Sequence, residues 1–222
     1  MFIGTESGKD HRVAEEFDRQ ASRYDRSLTV RRYQSQTQAL VLDRLSIRPG
    51  MHVLDLGCGT GTASLALASR LNGTGKFIGV DVSPKMLEQA RRKLSQSGLT
   101  NVEFVLGSAH KLGYEATFDV VFSTSAYHHF ADKTDIFRRV WQSLKRGGCF
   151  WVQDFCSDFL LMRGLDLLGR LGERAHVGTT TSHQLKALYQ STGFGDVEVT
   201  PFKLNFLWGI MIGKGVKPQL GD

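Results

Sequence analysis

The chain has 222 residues, 41% of them hydrophobic and 23% charged, which fits a globular protein and argues against long disordered segments. Lysine and arginine exceed aspartate and glutamate by six (28 against 22), mostly as short pairs typical of solvated helix faces, so no nucleic-acid partner is expected. The three cysteines are too few for a disulfide framework, and neither a signal peptide nor a membrane span is visible, which predicts a cytoplasmic protein without a structural metal.

The first predicted element is an amphipathic helical region near the N-terminus. Val13, Phe17, Ala21, Tyr24 and Leu28 recur every three or four residues, which is the spacing of one helix face. The aromatic rings on this stripe indicate a face that packs against the rest of the protein.

From residue 51 onward, short apolar runs alternate with amphipathic stretches, which is the pattern of β-α units. Ser83 is a predicted N-cap with Pro84 at the first helical position, and Gly98 ends that helix. Gly147 and Gly148 are predicted to stop a later helix. The predicted strands in this part are 51–56, 76–80, 101–106, 117–122 and 149–153, and the predicted helices are 62–71, 84–97 and 133–144.

The C-terminal part changes character. Residues 157–172 form a Leu-rich helical stretch, and a helix over 182–192 ends at Gly193. The runs 196–200 and 205–212 predict two strands that are antiparallel neighbours at one sheet edge. The whole pattern predicts an α/β fold, with a doubly wound, mostly parallel sheet, helices on both faces and an antiparallel C-terminal edge strand.

The segment VLDLGCGTG at 53–61 leaves a predicted buried strand, turns on glycines and enters a helix. Glycines allow positive φ and a close approach of ligand to backbone, and the helix N-terminus offers N–H groups to polar atoms. A dinucleotide fingerprint requires glycine at position 62, where this chain has Thr62, and Asp55 would repel a pyrophosphate. The loop therefore favours a ligand with a positive or zwitterionic group over a nicotinamide dinucleotide, and disfavours an oxidoreductase.

Asp81 ends the second predicted strand, shortly after the glycine loop. A carboxylate at this place can accept both hydroxyls of a ribose, and the adjacent Val82 can pack on a purine. The alternative is that Asp81 only caps the helix that begins at Pro84.

Together these motifs resemble the class I S-adenosylmethionine-dependent methyltransferases of the small-molecule type, from about Phe17 to Lys214. The resemblance implies a Rossmann-like seven-stranded sheet, S-adenosylmethionine as cofactor and methyl transfer as the reaction. The predicted organisation is one domain over 1–222, with a helical lid region (1–45), a cofactor-binding core (46–155) and acceptor-pocket helices with C-terminal strands (156–222). The motifs that carry the resemblance are VLDLGCGTG (53–61), IGVDVS (78–83), FDVVF (118–122), YHHF (127–130), LKRGG (144–148) and GF (193–194).

The resemblance also implies a set of cofactor-binding residues in the strand-end loops and the lid. Ser108 stands where the family often has an acidic residue that faces the adenine amino group. The set is Gly57, Cys58, Gly59, Asp55 and Ser123 for the methionine part, Asp81 for the ribose, Val82, Met86, Ser108 and Ala109 for the adenine, and Phe17 and Tyr24 for the lid.

Tyr127, His128 and His129 follow the fourth predicted strand, at the carboxyl edge where parallel sheets bind ligands. A histidine there can deprotonate an acceptor near neutral pH, and His128 is slightly preferred over His129 as the catalytic base. Tyr127 is a third candidate, or a residue that shapes the substrate pocket. The alternative is that one histidine is structural and the other faces solvent, because transfer from a sulfonium does not require a strong acid–base pair.

The sequence disfavours two nucleic-acid chemistries. No proline follows the fourth strand, as it does in enzymes that methylate exocyclic base amines, and Cys149 and Cys156 are predicted packing residues rather than nucleophiles. The Leu-rich run 159–168 lies where the family commonly builds its acceptor pocket, and it fits a hydrophobic small molecule such as a quinone, polyketide, sterol or lipid. A core helix or a peripheral membrane contact is the alternative for this run. RNA or protein methylation and a non-catalytic cofactor-binding module are the alternative functions.

Overall fold

A computed structural model describes residues 8–27, 37, 40–159, 178–203 and 209–219 of the chain. The strands are β1 His52–Leu56, β2 Lys76–Asp81, β3 Val102–Leu106, β4 Phe118–Thr124, β5 Leu144–Phe155, β6 Gly195–Lys203 and β7 Gly209–Val216. The helices are α1 Gly8–Tyr24, α2 Thr62–Ala68, α3 Pro84–Ser97, α4 Lys133–Ser143 and α5 Ser182–Thr192.

The seven strands follow the order β3-β2-β1-β4-β5-β7-β6. The strands β1, β2 and β3 pair in parallel, as do β4 and β5, whereas β7 is antiparallel to both β5 and β6. The predicted mostly parallel sheet with an antiparallel C-terminal part is confirmed, with β7 between β5 and the edge strand β6. The residues group into two compact units that meet at the Lys111–Leu112 boundary in the chain, and the single domain over 1–222 stays a prediction.

The N-terminal unit packs α3 against its parallel strands. The Ser83 hydroxyl accepts the Met86 backbone N–H at 3.1 Å and Pro84 begins the helix, so the predicted N-cap is confirmed. Gly98 ends α3 in the left-handed conformation (φ 71°), also as predicted. The apolar face of α3 joins the glycine loop and β3 in a buried cluster of Cys58, Leu87, Ala90 and Phe104.

Aromatic side chains form the core of the C-terminal unit. Phe137 of α4 contacts Phe150 of β5 and Tyr189 of α5 edge-to-face, with ring centroids 5.0 and 4.8 Å apart. The Tyr189 hydroxyl donates to the Phe150 carbonyl at 3.1 Å, which satisfies this buried phenol. The helices α4 and α5 are thereby fixed to β5.

The predicted stop of α4 at the two glycines is wrong. The helix ends at Ser143 and β5 begins at Leu144, so Gly147 and Gly148 lie within the strand. The pairing of β5 with β4 shifts register there, as in a β-bulge. A Cβ at Gly148 would lie 2.9–3.1 Å from three carbonyl oxygens, which explains why this strand position holds a glycine.

Other boundaries differ more modestly from the predictions. The helix α2 ends at Ala68, and a 3-10 turn covers Ser69–Leu71 in place of a continuous helix. The strand β7 extends to Val216, and the predicted start of that strand at residue 205 lies outside the described residues. The predicted helical stretch 157–172 lies outside them too, apart from a turn at 157–159, as does Leu28. Within the described ranges, no helix is long and apolar enough to cross a bilayer.

Candidate functional site

The loop between β1 and α2 is glycine backbone tied to the neighbouring strand. The N–H groups of Gly57 and Cys58 both donate to the Val80 carbonyl in β2, at 2.8 and 3.0 Å. Gly59 has φ 53°, and a Cβ added there would meet nothing within 4 Å, so the backbone at this residue is open to a ligand. Gly61, with φ 72°, has no room for a side chain, because a Cβ would lie 2.7 Å from an aromatic ring of β3.

Asp55 is buried in β1, one residue before the end of the strand, and is 1% exposed. Its Oδ2 accepts the Ser64 hydroxyl at 2.6 Å, whereas its Oδ1 has no hydrogen-bond partner among the described residues. Burial raises the pKa of Asp55 to about 7; the Ser64 hydrogen bond opposes this rise and the charge of Asp81 adds to it. A ligand ammonium at Oδ1 would supply the missing partner and favour the ionised carboxylate.

Asp81 links the glycine loop to the loop after β2. Its Oδ2 accepts the Gly59 N–H at 2.8 Å, and its Oδ1 accepts the Ser83 N–H at 2.9 Å. Burial raises the pKa of Asp81, and these backbone hydrogen bonds oppose the rise. Ser83, rather than Asp81, supplies the N-cap side chain of α3, and Asp81 accepts the backbone N–H of that N-cap residue.

The residues predicted to contact the adenine lie after β2 and β3. Val82 is half-buried, while Met86 of α3 and Ala109 are buried. The buried Ser108 donates its hydroxyl to Asp10 of α1 at 2.6 Å and accepts a backbone N–H two residues further on. The acidic side chain of Asp10 therefore lies beside Ser108, although residues 107–111, directly after β3, include no acidic residue.

Two further predicted cofactor residues lie outside these loops. Tyr24, the last residue of α1, is half-buried and packs edge-to-face on Phe17, with ring centroids 6.3 Å apart. Ser123 of β4 is fully buried, and its hydroxyl has no hydrogen-bond partner in the part of the chain that the structure describes. Ser123 belongs to the C-terminal unit, and its cofactor role stays a prediction, as does that of Tyr24.

His128 is held by Asp154, a residue that the sequence interpretation missed. The His128 backbone N–H donates to Asp154 Oδ2 at 2.7 Å, and the ring Nδ1 lies 2.8 Å from Oδ1. The Phe155 N–H also donates to Oδ1, at 2.7 Å, and Asp154 is 0% exposed. Burial by itself raises the pKa of Asp154, but the His128 ring and these hydrogen bonds lower it overall. An ionised carboxylate only accepts, so Nδ1 carries the proton of this bond.

The neighbours of His128 in the 3-10 turn Tyr127–His129 have different surroundings. His129 is half-buried, with its ring 3.9 Å from the His128 ring and tilted by 42°. Tyr127 is 1% exposed and packs edge-to-face on Phe130 and Phe137, and burial raises its pKa. Its side chain also lines a cavity of about 360 Å³ in the C-terminal unit, together with Lys133, Gly178, Thr179, Thr180, Gln184 and Leu188.

The cysteines have the properties of packing residues. Cys58 and Cys156 are buried, and burial raises the pKa of the Cys156 thiol to about 11. Burial also raises the pKa of Cys149 in β5. Neither thiol after the fourth strand is therefore activated as a nucleophile at neutral pH.

The sheet order and the acid-flanked glycine loop agree with the comparison to known families. A methyltransferase-domain family model matches residues 47–193, so the chain belongs to that family. Its class is that of the class I S-adenosylmethionine-dependent methyltransferases, as the sequence motifs predict. S-adenosylmethionine is the cofactor of this class.

The demethylmenaquinone methyltransferase of Lactococcus lactis is 32% identical over 142 residues, which cover 63% of this chain and 56% of that enzyme. The chain thus spans little more than half the length of this relative. The structure of the YcgJ protein of Bacillus subtilis has a TM-score of 0.72 at 21% identity, over 83% of this chain and 99% of that one. The Haemonchus contortus phosphoethanolamine N-methyltransferase 2, in complex with phosphomonomethylethanolamine and S-adenosylhomocysteine, has a TM-score of 0.69 at 20% identity, over 82% and 52% of the two chains. These two likenesses show the fold.

Proposed function

We propose that this protein transfers the methyl group of S-adenosylmethionine to an oxygen, carbon or nitrogen atom of a moderately apolar small molecule. The observation that carries the proposal is the pair of carboxylates at the ends of β1 and β2, Asp55 and Asp81, on either side of a glycine loop with open backbone at Gly59. A site of this kind suits a ligand with an ammonium group and a sugar diol, and S-adenosylmethionine has both.

Each carboxylate has acceptor capacity left for the ligand. Oδ1 of Asp55 is buried without a hydrogen-bond partner in the described chain, and it would accept from the amino group of the methionine part. The Asp81 carboxylate accepts the backbone N–H groups of Gly59 and Ser83, and the backbone of Val82 also opposes the rise in its pKa that burial causes. Since a carboxylate has about four acceptor sites, capacity remains for a ribose hydroxyl. The backbone at Gly57, Cys58 and Gly59 would line the methionine part.

When bound, S-adenosylmethionine supplies an electrophilic methyl group on a positively charged sulfonium, which is a good leaving group. The tasks of this chain are to align the acceptor, exclude water and remove a proton where the acceptor carries one. Alignment alone supplies on the order of 7–11 kcal/mol of barrier reduction in the best intramolecular cases. Proton removal by a base therefore lowers the barrier by a smaller amount than alignment does.

His128 is the residue we assign as that base. Its Nδ1–H is held by Asp154, so the other ring nitrogen, Nε2, is the one that takes up a proton. The buried negative charge of Asp154 then stabilises the imidazolium that forms. His129 is the alternative base, and Tyr127, whose ring packs in the aromatic core, is assigned to the shape of the pocket.

The proposed acceptor is apolar because the Leu-rich run 159–168 follows β5 directly in the sequence. Only Phe159 of this run lies among the described residues, so the support comes from its composition. One relative is named for demethylmenaquinone and one structural neighbour for phosphoethanolamine, so the comparisons leave the acceptor class open.

Two binding measurements and one transfer assay test the proposal. Calorimetry should detect binding of S-adenosylhomocysteine and much weaker binding of NAD. With methyl-labelled S-adenosylmethionine, label should reach a naphthoquinol probe and not phosphoethanolamine, transfer RNA or histone. Preferential binding of NAD would overturn the proposed cofactor site, and transfer only to phosphoethanolamine, RNA or protein would overturn the proposed acceptor class.

A further inference from the structure

A row of three aspartates connects α1 to the loops of the candidate cofactor site. Asp10 and Asp18 lie in α1 and Asp25 follows its last residue, at intervals of eight and seven residues. Two turns of an α-helix take about seven residues, so Asp10 and Asp18 lie on one side of the helix, and Asp25 follows in the turn after it. Each carboxylate accepts a hydrogen bond from a hydroxyl group in a different loop. Asp10 contacts the loop after β3, Asp18 the loop after β2 and Asp25 the loop after β1.

The contact of Asp18 is closest to the proposed ribose site. Its Oδ1 accepts the Ser83 hydroxyl at 2.5 Å and the Lys85 N–H at 3.1 Å. Ser83 is fully buried, and its own N–H donates to Oδ1 of Asp81. One residue, Ser83, therefore connects the helix carboxylate to the carboxylate assigned to the ribose.

The contact of Asp25 fixes the glycine loop. Its Oδ1 accepts the Thr60 hydroxyl at 2.8 Å, and its Oδ2 pairs with Lys93 of α3 at 2.6 Å. The Lys93 ammonium also donates to the hydroxyls of Thr60 and Thr62, at 3.0 and 2.7 Å. Thr60 is 3% exposed and directly follows Gly59, whose N–H is bound to Asp81.

The contact of Asp10 completes the row at the loop after β3. Its Oδ2 accepts the hydroxyl of Ser108, which is 1% exposed. The other acids of α1 differ, because Glu15 pairs with His11 and Glu16 with Arg19, both within the helix. Asp10 and Asp18 are thus the acids of α1 that contact the strand-end loops, and Asp25 does so from just after the helix.

We propose that Asp10, Asp18 and Asp25 are positioning residues that hold the three strand-end loops in the arrangement that binds the cofactor. Hydrogen bonds to a carboxylate are stronger than those between neutral groups, and three of them fix loops whose glycines would otherwise allow several conformations. Loops ordered in advance do not lose that freedom when the ligand binds, which improves affinity. The inference rests on the proposed placement of the cofactor at Asp55, Asp81 and the glycine loop.

The test compares Asp18→Ala and Asp25→Ala with Glu15→Ala, which removes an exposed acid of the same helix. Calorimetry with S-adenosylhomocysteine should show binding weaker by about 5- to 10-fold for each aspartate variant and by less than about 2-fold for the control. Hydrogen exchange at 57–61 and 81–86 in the ligand-free protein should be faster in the aspartate variants only. Equal affinities and equal exchange in all three variants would overturn the inference.

Two further measurements separate positioning from general stability and from the proposed function. Asp18→Asn keeps an oxygen that accepts the Ser83 hydroxyl, so it should recover part of the affinity lost in Asp18→Ala. At saturating S-adenosylmethionine the aspartate variants should keep the turnover number of the parent and show a raised KM. A lowered turnover number with unchanged KM would contradict a positioning role at the cofactor. Failure of the parent protein itself to bind S-adenosylhomocysteine would refute the proposed function instead.

Discussion

Two buried aspartates at the ends of strands, Asp55 in β1 and Asp154 in β5, respond to burial in opposite ways. Both are almost completely inaccessible, yet the pKa of Asp55 is raised to about 7 and that of Asp154 is lowered. The difference lies in their partners, since Asp154 faces the His128 ring and Asp55 accepts from a neutral hydroxyl. Asp154 therefore has hydrogen-bond donors for both of its oxygens within its own unit, whereas Oδ1 of Asp55 has no hydrogen-bond partner among the described residues.

The largest effect should come from removing the carboxylate whose oxygens are already hydrogen-bonded within its own unit. Asp154→Ala leaves the backbone N–H and the ring of His128 without this buried acceptor, and because each unsatisfied buried donor costs about 1–3 kcal/mol, we expect a loss of about 2–6 kcal/mol in the free energy of unfolding. Turnover should fall by about 100-fold or more if His128 is the base. Urea unfolding and steady-state kinetics measure the two effects.

The matched control for this change is Asp119→Ala. Asp119 of β4 pairs with Lys145 at 2.8 Å, with both side chains partly exposed, so its loss should cost less than about 1 kcal/mol. His128→Ala should slow turnover and leave S-adenosylhomocysteine affinity unchanged. Equal turnover in His128→Ala would remove this histidine as a required base.

Asp81→Ala should have the next largest effect. It removes the acceptor of two backbone N–H groups and of the proposed ribose hydroxyls, so S-adenosylhomocysteine should bind more weakly by about 1–3 kcal/mol. Calorimetry gives this number directly. A dissociation constant equal to that of the parent would refute the ribose role.

A smaller effect should appear in the pH dependence of stability. Burial in the folded chain raises the pKa of Asp55 from its ordinary value of 3.8 to about 7, so between these two pH values the carboxyl group carries a proton in the folded chain but not in the unfolded chain. The protein should therefore lose stability through Asp55 as pH rises from about 4 to about 7, by at most about 1.4 kcal/mol per pH unit.

Asp55→Asn should reduce this slope and leave the part that comes from Asp81, whose pKa burial also raises, while Asp154→Asn should leave the whole slope in place. Because the pKa of Asp154 is lower in the folded chain than in the unfolded chain, its contribution to stability is fully present at pH values above the unfolded-state pKa. This contribution is lost only as the pH falls below that pKa. Urea unfolding at intervals between about pH 4 and 8 separates the two aspartates. A slope in Asp55→Asn as steep as that of the parent would contradict the assigned titration.

The smallest change is expected for Tyr127→Phe. The ring contacts with Phe130 and Phe137 are retained, so stability should change by less than about 1 kcal/mol and turnover by less than about 3-fold. Kinetics of this variant decide between a residue that shapes the pocket and a proton-transfer residue. A loss of turnover as large as that of His128→Ala would favour the second role.

How much the sequence could predict depends on how local the signal is. The limits of α3 were predictable because Ser83, Pro84 and Gly98 act within a few residues of the helix ends. The start of β5 was not, because the two glycines resemble a helix stop and their bulge depends on pairing with β4. Periodicity contains no information on such pairing.

The same distinction holds for the candidate site. His128 was a predictable candidate from its place after β4, whereas Asp154 lies 26 residues later and meets it only because β4 and β5 pair. The Asp10–Ser108 contact spans 98 residues and requires α1 to dock near the loop after β3. Charged residues on an amphipathic helix look alike in sequence, and only packing distinguishes Asp10 from the exposed Glu15.

The acidic surroundings of the glycine loop have a consequence for the end of the reaction cycle. The charge of Asp81 raises the pKa of Asp55, and the charge of Asp18 in α1 raises the pKa of Asp81, so this group of acids favours a positively charged neighbour. With the donor placed as proposed, this field attracts the sulfonium before transfer and loses that attraction once a neutral thioether remains. The electrostatics would then favour release of S-adenosylhomocysteine and binding of the next S-adenosylmethionine.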